Sequence, residues 1–369
     1  MDYKISVITP VYNAEKTLPA AFESVKKQSI GFENIEYILV DDLSGDGSAA
    51  LLDGYAAQYS NVKVLHRTKN SGTAGAPRND ALDIATAPYV MFLDNDDLLF
   101  PRACEALYCA AEQGGADIVS GGFHAFADIR VIGPDPDTEV FRFTGLPEGR
   151  YQFGDFCREF THELCWTLCF SFWTKIYRRE LIRKYDIRFS EGIYGEDVAF
   201  MHLYVAKCRS AQIIKENIIN WRVRDDSLSH TSDSKLLAGA GKSIDYVLER
   251  ARKIDALDEY CHILDLTETV EYHTEWLLKE KSVTGDDLKS VLAAWQPFYA
   301  LALERGFHIH TAYTKILAHD LTDGDVKSAA YNAVALRELF FQRKQELDDI
   351  FASRTWKLAR LMQKVLGRG

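Results

Sequence analysis

The chain has 369 residues, 47% of them hydrophobic, enough to bury a full core in one large or two ordinary domains. Its formal net charge of −11 excludes a general nucleic-acid binder, which needs a basic excess. No apolar run approaches the ~18 residues of a membrane span, and MDYKISVITPVYN has neither the basic start nor the cleavage site of a secretory signal.

In chain order, Ile5 to Ile8 form a short buried strand broken by Pro10, and Leu18 to Gln28 carry helical spacing. IEYILVDDLS supplies a second strand, Glu36 to Val40, ending in two aspartates. Ser48 to Tyr59 is helical, NVKVLH is a third strand, and Ala74 to Ala85 is a helix that tolerates Pro77 only near its first turn. YVMFLD is a fourth strand, followed by a helix from Pro101 to Gly114. Such alternation predicts an α/β fold, a mostly parallel sheet of βαβ units with helices on both faces. ADIVSGGFHAF is a further strand before the loop IGPDPDTE, a hairpin or surface insertion. After SHTSDSK, residues 236 to 369 show helical periodicity, with Thr284 and Asp287 in TGDDL and Thr322 and Asp325 in TDGD as helix starts. Two domains are expected, 1–232 and a helical region, 233–369.

The seven cysteines (Cys104, Cys109, Cys157, Cys165, Cys169, Cys208 and Cys261) form no CxxC pair and read as reduced, mostly buried thiols of a cytoplasmic protein. Cys165 and Cys169 fall one helical turn apart, where core packing outweighs a metal or redox role. His308 and His310 have the alternate spacing of one strand face, without an evident acidic partner.

In parallel sheets, ligands bind outside the carboxyl ends of the strands. The polar residues sit at those ends: Tyr12 and Asn13, Asp41 and Asp42, Asn70, and Asp94 to Asp97. The run DNDD gathers three carboxylates that repel one another. They suit a hard divalent cation bound through one or two of them, water and substrate phosphates completing its shell. Taken alone, D-x-D is more often a solvated, helix-capping loop.

The ordered set VITPVYN, VDDLSGD, NSGTAGAPRN and FLDNDD, followed by WTKIYRRELI, GEDVAF and WRVRDDSLSHT, resembles the family 2 glycosyltransferases of the GT-A fold over residues 1 to 232. The resemblance implies an inverting, metal-dependent transferase that takes a sugar from a nucleotide-diphosphate donor. The acceptor would be a glycan or lipid-linked hydroxyl in bacterial cell-surface polysaccharide or glycolipid assembly. Pro10 and Tyr12 would border the nucleotide base and Asp42 would hydrogen-bond it; Asn70 and Arg78 would help close the donor pocket. Asp94 would lie near ribose and metal, and Asp96 would ligate Mg²⁺ or Mn²⁺ directly. Asp197 would be the catalytic base, with Glu196 beside it, and Arg224, Ser229 and His230 would pack near the diphosphate.

Each residue also has a plainer reading. Asp42 could cap the helix near Ser48, Arg78 could make a structural ion pair, and Glu196 and Asp197 could be first-turn acids favoured by a helix dipole. Leu43 stands where the family usually has Gly, Pro77 where Ala is frequent and Ala81 where Gly often follows. The rival functions are a non-catalytic nucleotide-sugar-binding subunit and a metal-dependent nucleotidyltransferase. The basic segment SRTWKLARLMQKVLGRG, 353–369, fits either an amphipathic helix on anionic lipid at the inner membrane face or a helix packed on the protein. The helical region could also assemble a homo-oligomer.

Overall fold

The structure, a computed structural model, describes residues 2–127, 130–132, 146–193, 195–222, 234–280 and 282–352. The first quarter alternates as the sequence predicts: β1 (Ile5–Val11), α1 (Leu18–Lys26), β2 (Ile35–Asp41), α2 (Ser48–Gln58), β3 (Val62–His66), α3 (Gly75–Ile84) and β4 (Tyr89–Phe92). Then come β5 (Leu98–Leu99), α4 (Ala103–Gly114), β6 (Ile118–Ala127), β7 (Arg130–Ile132), β8 (Gly149–Gln152), α5 (Phe156–Glu159), α6 (His162–Cys169), β9 (Lys175–Arg178), α7 (Arg179–Lys184), α8 (Glu196–Lys207) and β10 (Ser210–Arg222). The described remainder is helical: α9 (Ser234–Lys253), α10 (Leu257–Leu266), α11 (Thr269–Lys279), α12 (Gly285–Arg305), α13 (Ala312–Asp323) and α14 (Val326–Ala352).

The sheet runs β3-β2-β1-β4-β9-β6-β10-β5, with β7 beside β6 and β8 beside β10. β3, β2, β1 and β4 are mutually parallel, as are β6 and β10, while β9 enters antiparallel between β4 and β6. Every residue of β1 and β2 is buried, because helices cover both faces. One face packs Val7, Tyr37 and Met91 against Leu18, Phe22 and Val25 of α1 and Leu107 of α4. On Phe92, at the end of β4, converge the rings of Phe172, Tyr177, Phe189 and Phe200. Pro10 is tolerated in a central strand for a local reason. β4 pairs with β1 only through Ile8, so the missing Pro10 N–H interrupts no ladder there. Pro77 is the third residue of α3, inside the turn where an N–H has no helical partner.

The chain divides into two compact units, residues 1–231 with 242–267, and residues 232–241 with 268–369. In the second, the buried Trp295 indole donates to the Leu237 carbonyl (2.8 Å), and the Glu271 carboxylate receives the Thr311 N–H and the Thr311 and Thr314 hydroxyls at the start of α13. Two sequence expectations change here. Thr322 lies in the last turn of α13 rather than at a helix start; Asp325 caps α14, accepting the Ser328 N–H at 2.7 Å. His308 and His310 lie in the loop between α12 and α13, because no strand forms there. The segment 353–369 lies outside the described residues, and no described helix is long and apolar enough to cross a membrane.

Candidate active site

At the carboxyl edge of the parallel strands, the loops after β1 and β2 are tied together. Asn13 adopts φ 50°, a left-handed conformation that Asn tolerates. Its side-chain oxygen accepts the Gly45 N–H (2.7 Å), and its own N–H donates to the Ser44 hydroxyl. The buried Asp42 carboxylate accepts the N–H and hydroxyl of Ser71 and pairs with Arg67 at 2.9 Å. Asn70 donates to the Asp42 carbonyl and accepts the Gly72 N–H. Asp42 and Asn70 thus brace the loop after β3 against the end of β2. The N-cap of α2 is Gly47 rather than Asp42, and Asp46 just before it accepts the Ser48 N–H. Tyr12 stands at this rim, 52% exposed.

The DNDD run forms a turn where β4 emerges, pinned by three hydrogen bonds to Pro10 and Arg222. Asn95 donates to the Pro10 carbonyl (3.0 Å), Asp97 accepts the Arg222 N–H (2.7 Å), and the Arg222 guanidinium donates to the Asp96 carbonyl (2.9 Å). Burial pushes the Asp97 carboxyl well above its ordinary range, and the charges of Asp94 and Asp96 push it further. The Arg222 N–H opposes them in part.

Arg78, on α3, is 4% exposed and links the DNDD turn to the start of α8. One guanidinium nitrogen pairs with Asp94 (2.7 Å) and another with Glu196 (3.0 Å), 118 residues further on. The guanidinium lies over the Phe172 ring at 4.4 Å and the Phe189 ring at 5.2 Å, which fix its plane. The ion pair anticipated for Arg78 is therefore formed, and doubly.

Glu196 and Asp197 open α8. Its N-cap, Gly195, has φ 80°, a conformation that favours glycine, so the GED run turns sharply into the helix. Burial first and the Glu196 charge second raise the Asp197 carboxyl to about 6, against the lowering effects of Arg78 and the Val198 N–H. A carboxyl in that range is poised to exchange protons near neutral pH. α3 approaches closely because Gly75 has no side chain: a Cβ there would lie 2.1 Å from the Ser190 carbonyl oxygen.

The structure thus gathers Asp94, Glu196 and Asp197 around Arg78, with Asp96 on the adjoining turn, and places Pro10, Tyr12, Asp42 and Asn70 along the same edge. Arg224, Ser229 and His230 lie outside the described residues. Asn95, Arg222 and Asn79 had no role in the sequence reading. Asn79 holds the Phe189 N–H and carbonyl and the Glu191 carboxylate, joining α3 to the approach to α8. Their signal was present, since all three lie inside the recognised blocks, but their partners are distant in sequence. No ready cage of three metal-ligating side chains exists among the described residues. An all-oxygen donor set of Asp96 and Asp94, in a turn of mutually repelling carboxylates, fits a hard divalent cation held by one or two protein ligands.

A sheet whose parallel strands carry DNDD at their rim and face a helix-starting GED defines a GT-A nucleotide-sugar fold. The profile described as glycosyl transferase family 2 matches residues 6–186, and that stretch of the chain is a family 2 glycosyltransferase domain. A poly(ribitol-phosphate) beta-glucosyltransferase of Bacillus spizizenii is 42% identical over 118 residues, 32% of this chain and only 19% of the relative. Glycosyltransferase GlyG of Streptococcus pneumoniae is 28% identical over 294 residues, 74% of this chain and 93% of the relative. The crystal structure of S. aureus TarS 1–349 in complex with UDP-GlcNAc superimposes with TM-score 0.60 at 21% identity, covering 91% of this chain and 92% of that one.

Proposed function

We propose that the chain transfers a sugar from a nucleoside-diphosphate sugar to a hydroxyl of a bacterial cell-surface glycan, inverting the anomeric carbon, with Mg²⁺ or Mn²⁺ as cofactor. The observation that carries this reading is the Arg78 bridge, which holds the DNDD turn and the GED helix start together. The relative named for poly(ribitol phosphate) and the TarS complex with UDP-GlcNAc support a UDP-sugar donor and a wall-polymer acceptor.

In this reading the nucleoside lies along the edge formed by Pro10, Tyr12 and the Asp42 loop, and the diphosphate lies at DNDD. Asp96, with Asp94, would hold the cation, which supplies charge neutralisation for the departing diphosphate. Asp197 takes the proton of the acceptor hydroxyl as it attacks; one base and no protein nucleophile make a single displacement. Arg78 keeps Asp94 and Glu196 in register, so that donor and base meet. The basic segment 353–369 supports peripheral contact with anionic lipid; its deletion should then reduce sedimentation with anionic vesicles at low salt.

The test is a donor screen: nucleotide sugars with Mn²⁺, read out as slow donor hydrolysis, with metal-dependent UDP binding followed by calorimetry. Asp96→Ala should abolish the metal-dependent part of the binding. Unchanged metal-dependent affinity in that variant would remove Asp96 as the ligand, and no hydrolysis of any donor would remove the enzyme reading.

A further inference from the structure

We infer that Leu43 is a specificity-determining wall of the nucleobase site, held outward by a backbone conformation that leucine ordinarily avoids. The inference rests on the donor-site reading above.

Leu43 follows directly on β2 and has φ 64°, in the left-handed region, where a Cβ crowds the following carbonyl. The strain is imposed by the surrounding ties. Asp42 donates its N–H to the Val11 carbonyl (2.8 Å), and the Ser44 N–H donates to the Asp41 carboxylate (3.0 Å). The Ser44 hydroxyl and Gly45 N–H then grip Asn13. With its neighbours fixed on both sides, the residue at 43 must turn left-handed. A glycine would do so freely, and two glycines, Gly45 and Gly47, follow within the same loop.

The side chain is not drawn into the core in exchange. Leu43 is 51% exposed, and among the described residues of the first unit the other large apolar side chain this exposed is Tyr12, at 52%. Both stand at the ends of neighbouring parallel strands, β1 and β2, on loops hydrogen-bonded to each other. An exposed apolar pair at a parallel-sheet edge, beside the buried carboxylate of Asp42, suits a planar heterocycle. Apolar side chains meet its faces and a carboxylate sits near its polar edge. Strain retained at an exposed position is what a ligand clamp requires and what stability alone would remove.

UDP with Mn²⁺ is the probe, by calorimetry on the full chain, with thermal unfolding of the same samples. Leu43→Gly should unfold at the same or a higher temperature than the parent yet bind UDP about fivefold more weakly, the effect of losing part of a leucine contact. Leu43→Asn, which tolerates the same backbone, should lose affinity similarly, and Leu43→Met should keep it. The ratio of UDP to GDP affinity should fall in the Gly and Asn variants. Undiminished UDP affinity in Leu43→Gly would overturn the inference, and so would a lowered unfolding temperature, which would make Leu43 a packing residue. If the parent chain binds neither UDP, GDP, ADP, CDP nor dTDP, the donor-site reading fails instead.

Discussion

Asp197 combines burial, an acidic neighbour and an arginine within one ion pair of that neighbour. Its carboxyl titrates near 6, so the fraction able to accept a proton drops as pH falls through that value. Transfer, as kcat/KM, should be level above pH 7 and about tenfold lower at pH 5. Asp197→Asn should lose at least about 10²-fold in transfer while UDP–Mn²⁺ affinity survives. Stability has the opposite sign. A folded-state value raised above the ordinary 3.8 means the ionised form costs stability, a cost that appears as pH rises from about 4 to about 6. Asp197→Asn should therefore unfold no earlier than the parent at pH 7.5; earlier unfolding would mean its carboxylate is a structural anchor. Arg78→Met leaves Asp94 and Glu196 facing each other without the buried cation and should cost about 3–5 kcal/mol in urea unfolding. Arg78→Lys should recover part of that stability but little transfer, because a single ammonium cannot reproduce the planar fork. Asp94, Asp96 and Asp197 stand out as candidates in the sequence because each sits in a short block. The joint role of Arg78 was not, because a pairing across 118 residues is a property of the folded chain.

At the level of elements, the site depends on how closely α3 approaches the segment leading into α8. Gly75 permits that approach, and Asn79 and Arg78, within the next turn, use it. Gly75→Ala should force α3 away from Ser190, since a backbone oxygen cannot yield as a flexible side chain would. A loss of about 1–3 kcal/mol is expected, with transfer falling more than UDP affinity because the Arg78 bridge is displaced. Thermal unfolding and paired kinetics check it; an Ala variant of parental stability and rate would show that α3 is free to shift. The first four strands and their helices were legible because buried parallel strands read as unbroken apolar runs. β9 was not: KIYR is four residues with charges at both ends, and its burial comes from being inserted between β4 and β6. Lys175 there is wholly buried and donates to the Phe170 and Ser171 carbonyls, a location its residue type argues against.

For the whole molecule, the question is which residues the catalytic unit needs. A boundary at 232 follows from the change in sequence character, yet residues 242–267 group with the first unit. α10 packs on α5, α6 and α8, burying Tyr260, Ile263 and Leu264 completely. Polar ties accompany it within the unit: Arg209 to Glu259 (2.7 Å), His262 to the Phe160 carbonyl (3.0 Å) and Arg250 to Asp186 (2.8 Å). Each buried apolar side chain is worth roughly 1.5–3 kcal/mol, so losing three of them removes an amount comparable to a typical net stability of about 5–15 kcal/mol. A chain ending at residue 232 should therefore show no cooperative thermal transition, even though it contains every described residue assigned to donor, metal and base. A chain ending at residue 267 should unfold cooperatively and bind UDP with Mn²⁺. The two are compared by calorimetric unfolding and titration under one buffer. Equal transitions in both would show that α10 merely rests on the transferase unit. A transition only in the longer chain would show that the helices after the last strand complete its core.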